Sequence, residues 1–355
     1  MGVLVALMSE TPELSLAKIH AFPKIDLHRH LLGSARPETL WELSQRYNFA
    51  LQYKSIEEFT NAIARQVASG DLSQYIQPWQ LLRQVIRHPE DVRRIAREAA
   101  IDARHDGVFY VEFRSSLPGM HITDGDSPQT RIPTDEYLHA IREGFAEVRH
   151  ITCRLIASVP RHVVGSANRS LVERYADRFF QAVTNSRDQF IVGVDLTGVE
   201  RGWPARLFKD IFAEALRIKL PITIHAGETE GPEEIWSAID DLGATRVGHG
   251  TSAPSDPRLI EELIKRNVVL EVCPTSGWLT GTVKNRSRHP VIDCLPPIPY
   301  VICTDNPTLN ASTLSRELCL AAQIAGLQGE SFCDSQLRVA SQAAFGPEAV
   351  MASIT

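Results

Sequence analysis

The chain has 355 residues, 43% of them hydrophobic, which is enough to bury a sizeable core. Basic and acidic side chains number 37 and 43, a formal net charge of −6. No Lys/Arg tract stands out against that balance, which argues against nucleic acid or a membrane surface as a partner.

In chain order, the opening "MGVLVALMSE" carries a short apolar run with no basic residues, and Ala6 stands where a myristoylation signal needs Ser or Thr. Neither a leader nor a lipid anchor is expected there. The first strand candidate is "KIDLHRH" (24–30). Residues 49–88 follow, too long for a plain connection; they contain the helix-like "DLSQYIQPWQLLRQVI" and read as a helical insertion over one mouth of the fold. Tyr75 and Trp79 in that stretch suit lid packing. Strand candidates then recur at 108–116, 152–159, 190–198, 220–228, 245–250, 268–274 and 300–306. Helical patterns separate most of them, at 89–106, 134–149, 169–186, 205–218, 231–242 and 257–266. A further helix follows at 309–326, and a terminal one at 334–354.

Several of these strands are apolar nearly throughout, as strands covered on both faces by crossover helices should be. Eight βα units point to an α/β chain folded as a (β/α)8 TIM-type barrel, and the whole of 1–355 reads as one domain. A doubly wound sheet is the competitor, but no GxGxxG loop follows the first strand. Six cysteines (Cys153, Cys273, Cys294, Cys303, Cys319 and Cys333) occur without a CxxC pair and read as reduced thiols, Cys273 and Cys303 being buried in strands without chemistry. No apolar run reaches the roughly 18 residues of a membrane span. A cytoplasmic protein is expected.

Residues that are expensive to bury recur where these strands end: His28 and His30, His225 and Glu228, His249, and Asp305. In a barrel those ends converge on one face. A lone histidine is more often a satisfied structural residue, but six such groups at strand ends are hard to dismiss. Side chains at i and i+2 of a strand point the same way, so His28 and His30 share a face. With His225 and Asp305 they offer three nitrogens and one oxygen, a donor set suited to one Zn2+ per chain with room for a water. A metal there would bring the pKa of that water toward neutrality.

The segments "PKIDLHRHLLGS", "YVEFRSS", "VGVDLTGVE", "ITIHAGE", "RVGHG", "LEVCPTSGWLTG" and "TDNP" together resemble the adenosine deaminase family of metal-dependent barrel hydrolases, in that family's order, over residues 23 to roughly 320. The resemblance implies that His28, His30, His225 and Asp305 hold the zinc. It implies that Glu228 donates a proton to purine N1, that His249 positions the attacking hydroxide, and that Gly198 offers its backbone N–H to N3, where a side chain would block close approach. The implied reaction is hydrolytic deamination of a 6-aminopurine nucleoside to the 6-oxo product and ammonia. Glu112 and Arg114 are expected to form a structural ion pair inside the barrel mouth.

Two positions depart from the family pattern. Leu32 occupies a slot where family members carry an acid that binds the ribose 5′-hydroxyl; a buried hydroxyl facing leucine loses a partner worth on the order of 1–3 kcal/mol. Asn306 replaces the second aspartate of TDDP. An amide donates to purine N7 without having to be protonated first. Both changes suit an adenosine modified at the 5′ position, such as aminodeoxyfutalosine or a thioether nucleoside. The alternatives are adenosine itself, free adenine, another reaction of a mononuclear-metal barrel hydrolase, and a binding protein that has lost turnover. Oligomeric state is left open by the sequence.

Overall fold

The computed structural model describes residues 16–49, 53–67, 70–75, 77, 84–117, 132–162, 169–186, 190–295, 297–327 and 329–346. Eight parallel strands lie in sequential order: β1 Lys24–His30, β2 Val108–Ser116, β3 Thr152–Pro160, β4 Ile191–Thr197, β5 Ile222–Ala226, β6 Arg246–His249, β7 Val269–Val272 and β8 Tyr300–Ile302. Helices connect them, among them Pro89–His105, Thr134–Ala146, Arg169–Asn185, Lys209–Arg217, Pro232–Asp240 and Pro257–Arg266. The expected (β/α)8 barrel is the observed one. Trp79 lies outside the described residues.

β3 ends on Pro160, and β4, β5 and β6 stop immediately before Gly198, Gly227 and Gly250. Tyr110–Ser116 pairs in unbroken parallel register with Thr152–Ser158. The barrel closes just beyond β8: His30 N–H donates to Asp305 O at 2.8 Å, and Asp305 N–H donates to His28 O at 2.8 Å. The closing seam therefore runs through the two histidines of β1.

The barrel interior is ionic along one line. Tyr110, Glu112 and Arg114 alternate on β2 and share a face. Arg114 reaches Asp195 on β4 (3.0 Å) and Glu271 on β7 (2.8 Å), so that face points inward. Arg246 on β6 bridges Glu271 (2.7 Å) and Glu112 (2.7 Å). The expected Glu112–Arg114 pair does not form. Two residues apart on one strand, they lie at successive depths, and each meets its opposite charge across the barrel.

The C-terminal helix spans Gly329–Ala343, ahead of the expected 334–354, and the last eight residues of that range lie outside the described ones. Beyond it the chain turns under the barrel floor. Phe345 N–H donates to Glu112 Oε1 at 2.6 Å, and the Phe345 ring lies 3.6 Å from the Arg246 guanidinium carbon. Gly193 makes room for it, since a Cβ there would sit 2.6 Å from Phe345 Cδ2.

Of the insertion, the helices Ile56–Val67 and Leu72–Tyr75 are described. Tyr75 is 3% exposed, and its hydroxyl donates to Asn310 Oδ1 at 2.8 Å, beside the strand ends. No described helix is long and apolar enough to cross a membrane.

Candidate metal centre and proton donor

His28, His30, His225 and Asp305 come to one point at the C-terminal mouth. His30 Nε2 is 3.3 Å from His225 Nε2 and 3.2 Å from Asp305 Oδ1, and His28 Nε2 is 3.5 Å from Asp305 Oδ1. Donors held at 2.0–2.1 Å on a tetrahedron around one ion would be about 3.3 Å apart. His249 also falls within ligating distance of His28 and Asp305.

The carboxylates behind the histidines decide what those nitrogens can do. His28 Nδ1 lies 2.8 Å from Glu271 Oε2, and His225 Nδ1 lies 3.1 Å from Asp195 Oδ1. With a carboxylate oxygen accepting behind each ring, each Nδ1 carries the hydrogen and each Nε2 turns a lone pair to the centre. His28 Nε2 is buried with no hydrogen-bond partner. Burial and the neighbouring His28 push His225 well below the usual imidazole range, which keeps it neutral. Burial alone would raise Asp305, but the His28 and His30 rings packed against it hold it well below the usual carboxylate range. Ser276 Oγ donates to its other oxygen at 2.6 Å. Lone pairs and a carboxylate crowded within such distances repel one another unless a cation lies between them. The donor set fits one divalent metal.

His249 and Asp305 have φ of 62° and 60°. The left-handed region is uncommon for side-chain-bearing residues, and holding two of them there aims both side chains back over the mouth at a local backbone cost. Glu228 follows Gly227, whose φ is 64°. Its carboxylate stands 3.8 Å from His249 Nε2. Burial, then Asp305 and Glu200, push the Glu228 carboxyl well above its ordinary value, which favours its protonated form. Burial and His28 hold His249 neutral. A carboxyl biased toward its protonated form and a neutral imidazole thus flank the cluster from one side.

The residues expected to touch substrate are placed less uniformly. Gly198 has φ 104°, and a Cβ there would meet nothing closer than 3.7 Å, so the backbone conformation, rather than crowding by the protein, is what requires glycine. Asn306 is 3% exposed; its Nδ2 donates to Tyr75 Oη at 2.9 Å, and its Oδ1 has no partner. Asn310 fixes that orientation. Its amide donates to Thr304 O at 3.1 Å, so its oxygen takes the Tyr75 hydrogen and leaves Tyr75 as an acceptor for Asn306. Tyr75 is thus a polar hub as well as lid packing. Leu32 is half-buried in the turn Leu32–Ser34, packed against the core two residues beyond His30.

Sequence reasoning missed Asp195, Glu271, Arg246, Ser276 and Glu200. Asp195 and Glu271 left a readable signal, since each is a lone carboxylate in the middle of an apolar strand, "VGVDLTG" and "VLEVC".

Residues 23–354 match the family model described as adenosine deaminase. An adenosine deaminase of Edwardsiella ictaluri is 33% identical over 327 residues, which is 92% of this chain and 95% of that protein. Two solved structures share the fold: adenine deaminase from Arthrobacter aurescens, with TM-score 0.80 and 21% identity over 94% of this chain and 96% of that one, and an amidohydrolase from Burkholderia ambifaria with bound Zn, with TM-score 0.81 and 24% identity over 98% and 92%. The motifs, the barrel and the extent of these matches agree: the chain belongs to the adenosine deaminase family, metal-dependent hydrolases acting on the C–N bond of adenosine- and adenine-like purines.

Proposed function

We propose that His28, His30, His225 and Asp305 hold one Zn2+ and that the site removes the 6-amino group of a purine nucleoside carrying a 5′ substituent. The observation that carries this reading is Glu228, a largely enclosed carboxyl whose surroundings favour its protonated form, 3.8 Å from His249 and beside the cluster. Cleavage of an amide or phosphoester calls for a base to activate water. An acid poised at neutral pH suits protonation of a heteroaromatic ring nitrogen.

When bound, the cation would lower the pKa of a water to near neutrality and so supply the nucleophile. Glu228 gives its proton to N1, which drains electron density from C6. His249 orients the incoming oxygen and stabilises charge developing on it. Water adds its oxygen at C6 and passes one proton to the amino nitrogen; the C6–N bond breaks to release ammonia, and the proton left on the C6 hydroxyl returns to Glu228, giving the 6-oxo purine. The Gly198 N–H holds N3. Asn306 has one amide hydrogen on Tyr75 and the other free for N7.

Leu32 supports the 5′-substituted class because it offers apolar contact and no acceptor where a 5′-hydroxyl would need one. The metal assignment draws support from the zinc in the amidohydrolase of the same fold. A second reading, deamination of free adenine, draws support from the likeness to adenine deaminase. A panel of adenosine, 5′-thioether and other 5′-extended adenosines, and adenine, followed by ultraviolet absorbance and ammonia release, separates these. The expected order places a 5′-substituted compound first in kcat/KM. Adenosine ahead of every substituted compound by tenfold would sink the 5′ assignment, and no deamination of any purine by metal-replete protein would sink the reaction.

A further inference from the structure

Glu200 is 2% exposed, and both of its carboxylate oxygens are spent on one neighbouring loop. Oε1 accepts from Gly227 N–H at 2.6 Å. Oε2 accepts from Thr229 N–H at 2.7 Å, Thr229 Oγ at 3.1 Å and Glu230 N–H at 3.1 Å. The bonded amides flank Glu228 on both sides and leave its side chain free. Gly227 O is in turn held by Ser252 N–H at 2.9 Å. Glu200 itself lies two residues beyond Gly198, in the loop that follows β4.

We infer that Glu200 is a positioning residue: its carboxylate clamps the backbone around Glu228 and locks the proton-donating loop after β5 to the Gly198 loop after β4. This rests on the role proposed for Glu228. N1 and N3 of a purine are separated by a single ring carbon, so the two loops that would address them must hold their spacing to a fraction of an ångström. A clamp of charge-assisted bonds between them serves that need. Glutamine is the telling substitution. Its oxygen can replace one carboxylate oxygen, but its NH2 would face either the Gly227 N–H or the Thr229 and Glu230 N–H groups as a second donor.

Glu200→Gln should lower kcat by about 100-fold, the cost of misplacing a reacting group by about 1 Å, with KM changed less than about threefold and metal content unchanged. In a Glu228→Gln background, the same Glu200→Gln change should alter the residual kcat by less than about threefold, because the group it positions is already gone. Full loss in both backgrounds would overturn the clamp, as would a Glu200→Gln enzyme within about threefold of the parent. Should Glu200→Gln fail to fold, Glu200→Asp serves. It keeps the charge and withdraws it by about 1.5 Å, and should lose kcat with KM and metal content held. An unchanged kcat there would overturn the proposal. If Glu228→Gln alone retains full turnover, the role of Glu228 fails and that of Glu200 falls with it; a dead Glu228→Gln beside a normal Glu200→Gln refutes the clamp alone.

Discussion

Glu271→Gln tests the ionic line under the metal site. Glu271 is fully buried and accepts four donors: Thr223 Oγ at 3.0 Å and Arg246 Nε at 2.7 Å on one oxygen, His28 Nδ1 and Arg114 Nη2, both at 2.8 Å, on the other. Burial alone would raise its carboxyl, but Arg114, Arg246 and His28 outweigh that and hold it well below the usual range. An amide keeps one acceptor oxygen, so two of the four donors would face an NH2 group. It also strips a negative charge from between two buried guanidiniums. Removing one partner of such a buried pair costs about 3–5 kcal/mol. At about 2.1 cal/mol/K per residue, a chain of 355 residues would lose roughly 4–7 °C in Tm. If the amide turns its NH2 to His28, the imidazole loses the acceptor that sets its tautomer, and metal affinity should fall about 10–100-fold. Thermal unfolding of metal-loaded protein and titration against a competing chelator measure the two effects separately. A variant with Tm within about 1 °C of the parent and metal affinity within about twofold would refute this account of the interior.

Other outcomes follow from the same geometry. Glu228→Gln should lose about 10²–10⁴ in kcat while keeping its metal, as measured by steady-state rates and elemental analysis. Folding raises the pKa of this carboxyl, so it binds its proton more tightly in the native state; its cost to stability appears as pH rises above the unfolded value. The amide carries no such cost, and Glu228→Gln should therefore unfold at the same or a higher temperature than the parent at pH 8. For the parent, kcat/KM should fall on the alkaline side, as pH climbs through the raised value and the proton to be donated is lost. Leu32→Asp should shift kcat/KM toward adenosine over 5′-thioether adenosines by about 5–150-fold, the equivalent of about 1–3 kcal/mol for one buried hydroxyl partner. Exhaustive chelation should abolish deamination, and Zn2+ should restore it.

The strands were legible because a parallel barrel buries both faces of each strand and so writes a nearly unbroken apolar run. The candidate ligands were legible because a histidine or aspartate at the end of such a run has no structural excuse. Asp195 and Glu271 wrote the same signal one layer deeper, but their partners lie on other strands, and no local spacing predicts which arginine meets which acid. Glu112 and Arg114 show the cost of that blindness: two residues apart, they looked like a pair, and the barrel gave each a different counter-charge. Glu200 was hidden for another reason. Its function lies in backbone amides of a loop nearly thirty residues away, and amides carry no sequence identity. The orientation of the Asn306 amide depends on Tyr75, from an insertion whose path the sequence does not specify.

The seam at Asp305 has a further consequence. Residues of the first strand and of the segment just beyond the last one hydrogen-bond to each other at the place where both would grip the cation. A bound ion is then a clasp joining the two ends of the sheet, and its binding free energy adds to cohesion, by about 4 kcal/mol at a thousandfold excess over Kd. Nascent chains cannot fasten it until the eighth strand has emerged, so activity arrives only when synthesis is nearly over. Starved of metal, the cylinder should loosen first along this line, baring two strand edges prone to sticking to other chains. Faster amide exchange at His30 and Asp305 in chelated protein, with β4 and β5 still protected, would be the mark of it.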